Sequence, residues 1–240
     1  MLNGGANHFN NNQIFEDEPP QYRLDNKPVL FPEGKFSTDV YTDKMIGFIK
    51  NGQKDKPFFA YLTYTAPHWP LQAPADYRDK YKGKYAIGYD SLRVTRFNKQ
   101  KAMGIVSANE ALGPRNPAIK PWVLLSPEEK KTESRKMELY AAMVDNLDEH
   151  IGLLIKFLKD SKQFDNTVIV FMSDNGAAAE DFYNDPRGDG PFLREHYNNS
   201  YENMGKASSF VSYGPQWAQA GAGQTGRAAC RERGEVWVGA

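Results

Sequence analysis

Two places in this sequence bring together side chains capable of chemistry. Residues 167–176 read Thr-Val-Ile-Val-Phe-Met-Ser-Asp-Asn-Gly, an apolar run that stops at Asp174 and Asn175. A carboxylate beside a carboxamide offers adjacent hard oxygen donors, which suit a divalent cation such as Ca²⁺ or Mg²⁺. Turn chemistry alone gives the same tripeptide a plainer use, an Asx-capped turn. Residues 65–70 read Thr-Ala-Pro-His-Trp-Pro, and His68 stands between two prolines that restrict its backbone. An imidazole held there can protonate a leaving group or hydrogen-bond an anion. Its plainer use is packing beneath a loop.

The surrounding elements decide whether these groups can meet. Residues 167–173 and 57–64 (Pro-Phe-Phe-Ala-Tyr-Leu-Thr-Tyr) are short continuous apolar runs, the pattern of strands buried on both faces of a parallel sheet. Between them, Ser126-Pro127-Glu128-Glu129 is a strong helix start, with Ser as N-cap, Pro in the first turn and a glutamate reaching back. The helix is expected to run to about Lys162. Its stripe of Met137, Tyr140, Val144, Leu147, Ile151, Leu154 and Leu158 is expected to pack on a sheet. Strand, helix, strand is a crossover unit that makes the two strands parallel. His68 and the Asp174–Asn175 pair would then emerge at the same sheet edge, where open α/β sheets bind ligands. A further helix is expected from Ser37 to about Lys50, capped by Ser37-Thr38-Asp39 and burying Val40, Ile46 and Ile49. Residues 1–34 read as irregular, and residues 71–125 as a surface excursion with one short helix around 89–110.

Composition removes several alternatives. Of 240 residues, 30 are Lys or Arg and 30 are Asp or Glu, so no net field recommends nucleic acid or an anionic membrane. No apolar stretch is long enough to span a bilayer. The single cysteine, Cys230, excludes a disulfide framework. Phosphate-cradling glycine loops, dinucleotide fingerprints, His-Glu-x-x-His helices and Gly-x-Ser-x-Gly elbows do not occur. The remaining histidines have weaker claims: His150 sits beside Asp148 and Glu149, on what reads as the solvated side of its helix. His8 and His196 lie in Asn-rich segments without a readable role. Asp145 and Asp148 read as surface charges, and Lys206 as a solvated lysine within reach of the candidate site.

Taken together these segments resemble type I sulfatases, and bacterial arylsulfatases most closely. Tyr64 through Pro74 is similar to that family's Ala-Pro-His-x-Pro segment. Val170 through Gly176 is similar to its Ser-Asp-Asn-Gly segment, and Leu139 through Asp148 is similar to the intervening helix. The resemblance implies an alkaline-phosphatase-like α/β fold, a mixed sheet flanked by helices. It implies Asp174 and Asn175 as ligands of a divalent cation, calcium first and magnesium second. It implies His68 as proton donor to the leaving oxygen, and hydrolysis of a small-molecule or carbohydrate sulfate ester. A phosphate or phosphonate monoesterase of the same superfamily, or a non-catalytic product, are the alternative readings.

The sequence also departs from that family. Its formylglycine arises from a Cys/Ser-x-Pro-x-Arg motif early in the domain, whereas Cys230 is followed by Arg231-Glu232-Arg233. No Asp-Asp pair, no Gly-Lys-x-His segment and no downstream active-site lysine context occur. Residues 1–221 therefore read as the central part of a catalytic domain, incomplete at both ends. Residues 222–240, rich in Gly, Ala, Arg and Glu, read as a tail foreign to the fold. Any signal peptide would lie upstream of Met1, which leaves bacterial cytoplasm and periplasm equally open.

Overall fold

A computed structural model describes residues 7–12, 22–53, 56–186 and 189–222. Its frame is one long helix. Helix elements in chain order are α1 (Ser37–Asn51), α2 (Ala75–Arg78), α3 (Gly88–Ala102), α4 (Pro127–Asp160), α5 (Gly190–His196) and α6 (Gly214–Gly221). Helix α4 begins as its sequence dictates. Ser126 Oγ accepts from the Glu129 N–H at 3.1 Å, and a Glu129 carboxylate oxygen accepts from the Ser126 N–H at 2.6 Å. Both otherwise orphaned donors are thereby satisfied. At the far end the chain turns out through Lys162 at φ 60°.

The buried face of α4 is wider than its heptad stripe and is displaced from it. Residues Ser134 through Leu139 are all buried, as are Ala142, Met143, Asn146 and Leu147. Val144, expected inside, is exposed. The N-terminal half of α4 is enclosed by α2 and α3 and by a cluster of aromatic rings rather than laid on a sheet. Trp217 of α6 is buried, donates its indole N–H to the Glu133 carbonyl at 3.0 Å, and meets Tyr85, Tyr89 and Trp122 edge-on. Edge-to-face contacts of this kind add to the gain from burial alone. Gly88 is required here: it sits at φ +80°, and a Cβ on it would lie 2.2 Å from the Trp122 ring.

The later half of α4 packs against α1. Helix α1 occupies the expected residues, but its N-cap is Phe36, without a side-chain cap. Its buried residues are Ser37, Thr38 and Thr42, while Val40, Ile46 and Ile49 are half-buried. Two of these polar residues, Ser37 and Thr42, have side-chain partners on the inner face, whereas the Thr38 hydroxyl has none. Thr42 Oγ1 donates to the Thr38 carbonyl at 2.8 Å and lies 2.8 Å from the Tyr64 hydroxyl. The segment read as irregular contains a tight antiparallel hairpin, β1 (Tyr22–Leu24) and β2 (Lys27–Val29), turning through Asp25 and Asn26 at φ 50° and 63°. Those left-handed positions suit Asp and Asn.

The expected parallel sheet is not formed. Among the described residues this hairpin is the sheet content. Residues 57–64 and 167–173 lie in no ladder, and most of their apolar side chains are exposed, with Leu62 and Tyr64 half-buried. Phe59 is 93% exposed and Val168 91%, with Val170, Phe171 and Met172 also open. An extended run becomes a strand only when neighbouring backbone satisfies its N–H and C=O groups. Neither run is paired in a ladder with a described segment. The chain is mixed α/β in content but mostly helical.

Two uncovered apolar runs with open backbone groups favour edge-to-edge association. Light scattering is expected to show concentration-dependent growth of the purified chain, reduced in a double variant carrying Phe59→Lys and Val170→Lys. Growth unchanged by these charges would refute that account.

Candidate functional site

The loop carrying His68 is built from both ends by buried hydrogen bonds. Its peptide bonds Ala66–Pro67 and Trp69–Pro70 are cis. The His68 N–H donates to the Thr65 carbonyl at 2.8 Å. Beyond it, Leu71 N–H donates to the Val211 carbonyl at 2.6 Å, and Ala73 N–H to the Gly205 carbonyl at 3.0 Å. Between these, Gln72 is fully buried and uses its whole carboxamide. Its Nε2 donates to the carbonyls of Ala207 (3.3 Å) and Ser209 (3.1 Å), and its Oε1 accepts from the His8 N–H at 2.9 Å. Asn199 plays a similar part for the facing segment. Its side chain accepts from the Phe210 N–H at 2.8 Å and donates to the Phe210 carbonyl, as a neighbouring strand would.

His68 itself is half-buried. Its Nδ1 lies 2.6 Å from the Trp69 carbonyl, an oxygen that can only accept, so Nδ1 carries a proton. The ring leans on Trp69 with centroids 4.3 Å apart. Trp69 in turn meets Phe182 edge-on at 5.1 Å and Phe210 at 5.6 Å.

Asp174 and Asn175 are exposed at the end of the unpaired 167–173 run. Ser173 Oγ donates to the Asn175 carbonyl at 2.6 Å, a local turn closure. The chain beyond them docks onto the wall that carries His68. Ala178 N–H donates to the Tyr213 hydroxyl at 3.1 Å, Ser212 Oγ lies 3.4 Å from Asp181 Oδ1, and Phe182 packs on Trp69. Burial raises the Tyr213 phenol well above its ordinary pKa, so it stays neutral. The structure therefore ties residues 178–182, which follow the Asp174–Asn175 pair, to the wall that carries His68. It shows no direct hydrogen bond between His68 and Asp174 or Asn175 among the described residues.

The other candidates fall as follows. His150 is not on a solvated side: its Nε2 lies 3.0 Å from Asp39 of α1, and its Nδ1 lies 2.8 Å from the Asn146 carbonyl. Asp145 pairs with Lys80 at 2.5 Å and half-faces α2. His196 stacks on Phe192 at the surface, and Lys206 is exposed. Cys230 lies outside the described residues. The residue that sequence reasoning passed over is His8. It is 1% exposed, stacked on Phe36, with Nδ1 2.7 Å from Ser37 Oγ and Nε2 3.3 Å from the His68 carbonyl. No periodicity surrounds it, and its only signal was its residue type.

A cation fits the donors in kind but not in number. Asp174 and Asn175 present hard oxygens, yet no group of three or more His, Cys, Asp or Glu side chains is assembled to hold a metal among the described residues. Calcium takes about six to eight oxygens. Asp174 and Asn175 supply a third or less of such a shell.

Comparison with known proteins resolves the family. The sulfatase family profile matches residues 2–228. An uncharacterized sulfatase of Schizosaccharomyces pombe is 41% identical over 92% of this chain. The chain belongs to the sulfatase family. An arylsulfatase of Klebsiella aerogenes is 38% identical over 91% of the chain, and an N-acetylglucosamine-6-O-sulfatase of Bacteroides thetaiotaomicron is 26% identical over 65%. The chain spans 41%, 47% and 36% of the lengths of these three relatives. The family match runs past the change of composition at Ala222. No helix among the described residues is long and apolar enough to cross a membrane.

Burial holds the His8 imidazole neutral, pushing its pKa down to about 4 from 6.5, with the His68 carbonyl opposing and the His68 ring charge assisting. The folded-state value lies below the unfolded one, so the associated stability is complete above about pH 6.5. It drains as pH falls toward 4, reaching about 3 kcal/mol. Urea unfolding at pH 7 and pH 4.5 is expected to show this loss in the parent chain and a smaller one in His8→Gln. Equal losses in both would refute the assignment.

Proposed function

We propose that this chain supplies one wall of a sulfate-ester hydrolase site, with His68 as leaving-group acid and Asp174 and Asn175 as two of the ligands of a divalent cation, calcium in first place. Residues 1–221 are the central part of the catalytic domain in this reading, and the substrate is a small-molecule or carbohydrate sulfate. The observation that carries it is the sulfatase match across residues 2–228, which includes both chemical segments. The geometry around His68 supports the same role. With Nδ1 committed to the Trp69 carbonyl, Nε2 is the atom able to hold a proton toward a departing oxygen. The aromatic contacts of Trp69 limit how far the ring can swing. Asp174 and Asn175 would hold part of the cation's shell, and a cation there would supply Lewis-acid stabilisation of negative charge.

These 240 residues lack the Cys/Ser-x-Pro-x-Arg nucleophile motif, so turnover requires more than this chain provides. The direct test is a chimera in which residues 1–221 replace the matching stretch of the Klebsiella arylsulfatase. Aryl sulfate hydrolysis is expected, and His68→Ala is expected to lower kcat by roughly 10²–10⁴-fold. A folded chimera indifferent to that substitution would sink the proposed role.

The isolated chain should bind calcium only weakly, at about millimolar concentrations, because two donors leave most of the ion's coordination to water. Titration followed by amide chemical shifts should move Asp174 and Asn175, and Asp174→Ala should abolish the movement. Shifts centred elsewhere would refute the assignment.

A further inference from the structure

We infer that His8 is a positioning residue for His68, holding the catalytic loop through one imidazole-to-carbonyl hydrogen bond and thereby fixing which ring nitrogen of His68 faces the substrate. This rests on the proposed role of His68.

His8 Nε2 lies 3.3 Å from the His68 carbonyl, which can only accept, so this nitrogen carries the proton. His8 Nδ1 is then the acceptor, and the Ser37 hydroxyl 2.7 Å away is its donor. The tautomer of His8 is set from both sides, as second-shell partners set it for functional histidines generally. Backbone bonds fix where the ring sits. Gln72 accepts from the His8 N–H, and the His8 carbonyl accepts from the Ser37 N–H at 2.8 Å. Phe36 stacks on its face at 5.2 Å and an interplanar angle of 24°.

The path then continues into the loop. Ser37 Oγ–H donates to His8 Nδ1, His8 Nε2–H donates to the His68 carbonyl, and His68 Nδ1–H donates to the Trp69 carbonyl. Each donor orients the next group, and the path ends at His68 Nε2. Two consecutive carbonyls, those of His68 and Trp69, are thus both engaged by imidazoles. A buried imidazole whose two nitrogens are both committed has no room for a second role. Its reach to the peptide of the one residue with a candidate proton-transfer function distinguishes it from packing alone. A phenyl ring would fill the same volume and keep the stack on Phe36, but would release the His68 peptide.

The test reads His68 without needing turnover. Long-range ¹H–¹⁵N spectra of the imidazoles report which ring nitrogen is protonated. In the 240-residue chain, in spectra taken at about pH 8.5 to hold imidazoles neutral, His68 is expected to show well-separated ring-nitrogen shifts, with Nδ1 protonated. In His8→Phe those two shifts should converge as the tautomers mix. In His8→Gln, whose amide can donate from the Nε2 position, the separation should return. Unchanged His68 shifts in a folded His8→Phe would overturn the inference, as would convergence that His8→Gln fails to reverse. If His8→Phe does not fold, Ser37→Ala decides. It frees Nδ1 and should reduce the His68 separation, and an unchanged spectrum there refutes the linkage. A negative chimera assay with these spectral changes intact would count against the hydrolase reading alone.

Discussion

The structure depends on one buried carboxamide. Gln72 is fully enclosed, and its three hydrogen bonds join segments far apart in sequence: the His68 loop, residues 207–209 and the chain around His8. A buried amide stripped of its partners costs more than the bonds gained by making them. The three segments therefore stay together or the carboxamide is left unsatisfied. Around it, Asn199 and the Leu71–Val211 backbone bond extend the same seam. The aromatic cluster on α4 gives this polar seam a rigid backing: Leu71 and Ala73 belong to the same core as Met143 and Trp217.

That arrangement explains how a mostly helical body positions a loop that the sequence suggested for a sheet edge. Loop 66–74 is positioned by side chains and backbone from the 199–213 region, not by strand pairing. The chain after Asn175 is drawn to the same wall through Tyr213 and Phe182. Family membership adds the expectation of a larger domain around these parts, since the curated relatives are about twice as long. The relatives' likeness covers both of these loop segments.

Local signals were legible where local physics suffices. The start of α4 was visible in Ser126-Pro127-Glu128-Glu129 because a capping box is closed within four residues. The stripe on α4 was half right: Met137, Leu147 and Leu158 are buried, but Val144 is not. Periodicity gives one face, whereas the N-terminal half of this helix is surrounded. The runs at 57–64 and 167–173 carry the composition of buried strands, but pairing is a non-local property that composition does not contain. His68, Asp174 and Asn175 stood out because their neighbours are proline and glycine. His8, Gln72 and Asn199 did not, since a polar side chain becomes structural only through partners distant in sequence.

Asn199 has a consequence of its own. By offering one acceptor and one donor to Phe210, its amide imitates a stretch of neighbouring main chain, so both backbone groups of Phe210 are satisfied with no ladder beside them. The surface behind the imidazole is thus set independently of whatever later lies along the bare apolar runs. Additional polypeptide arriving there would meet a finished template rather than help to shape one.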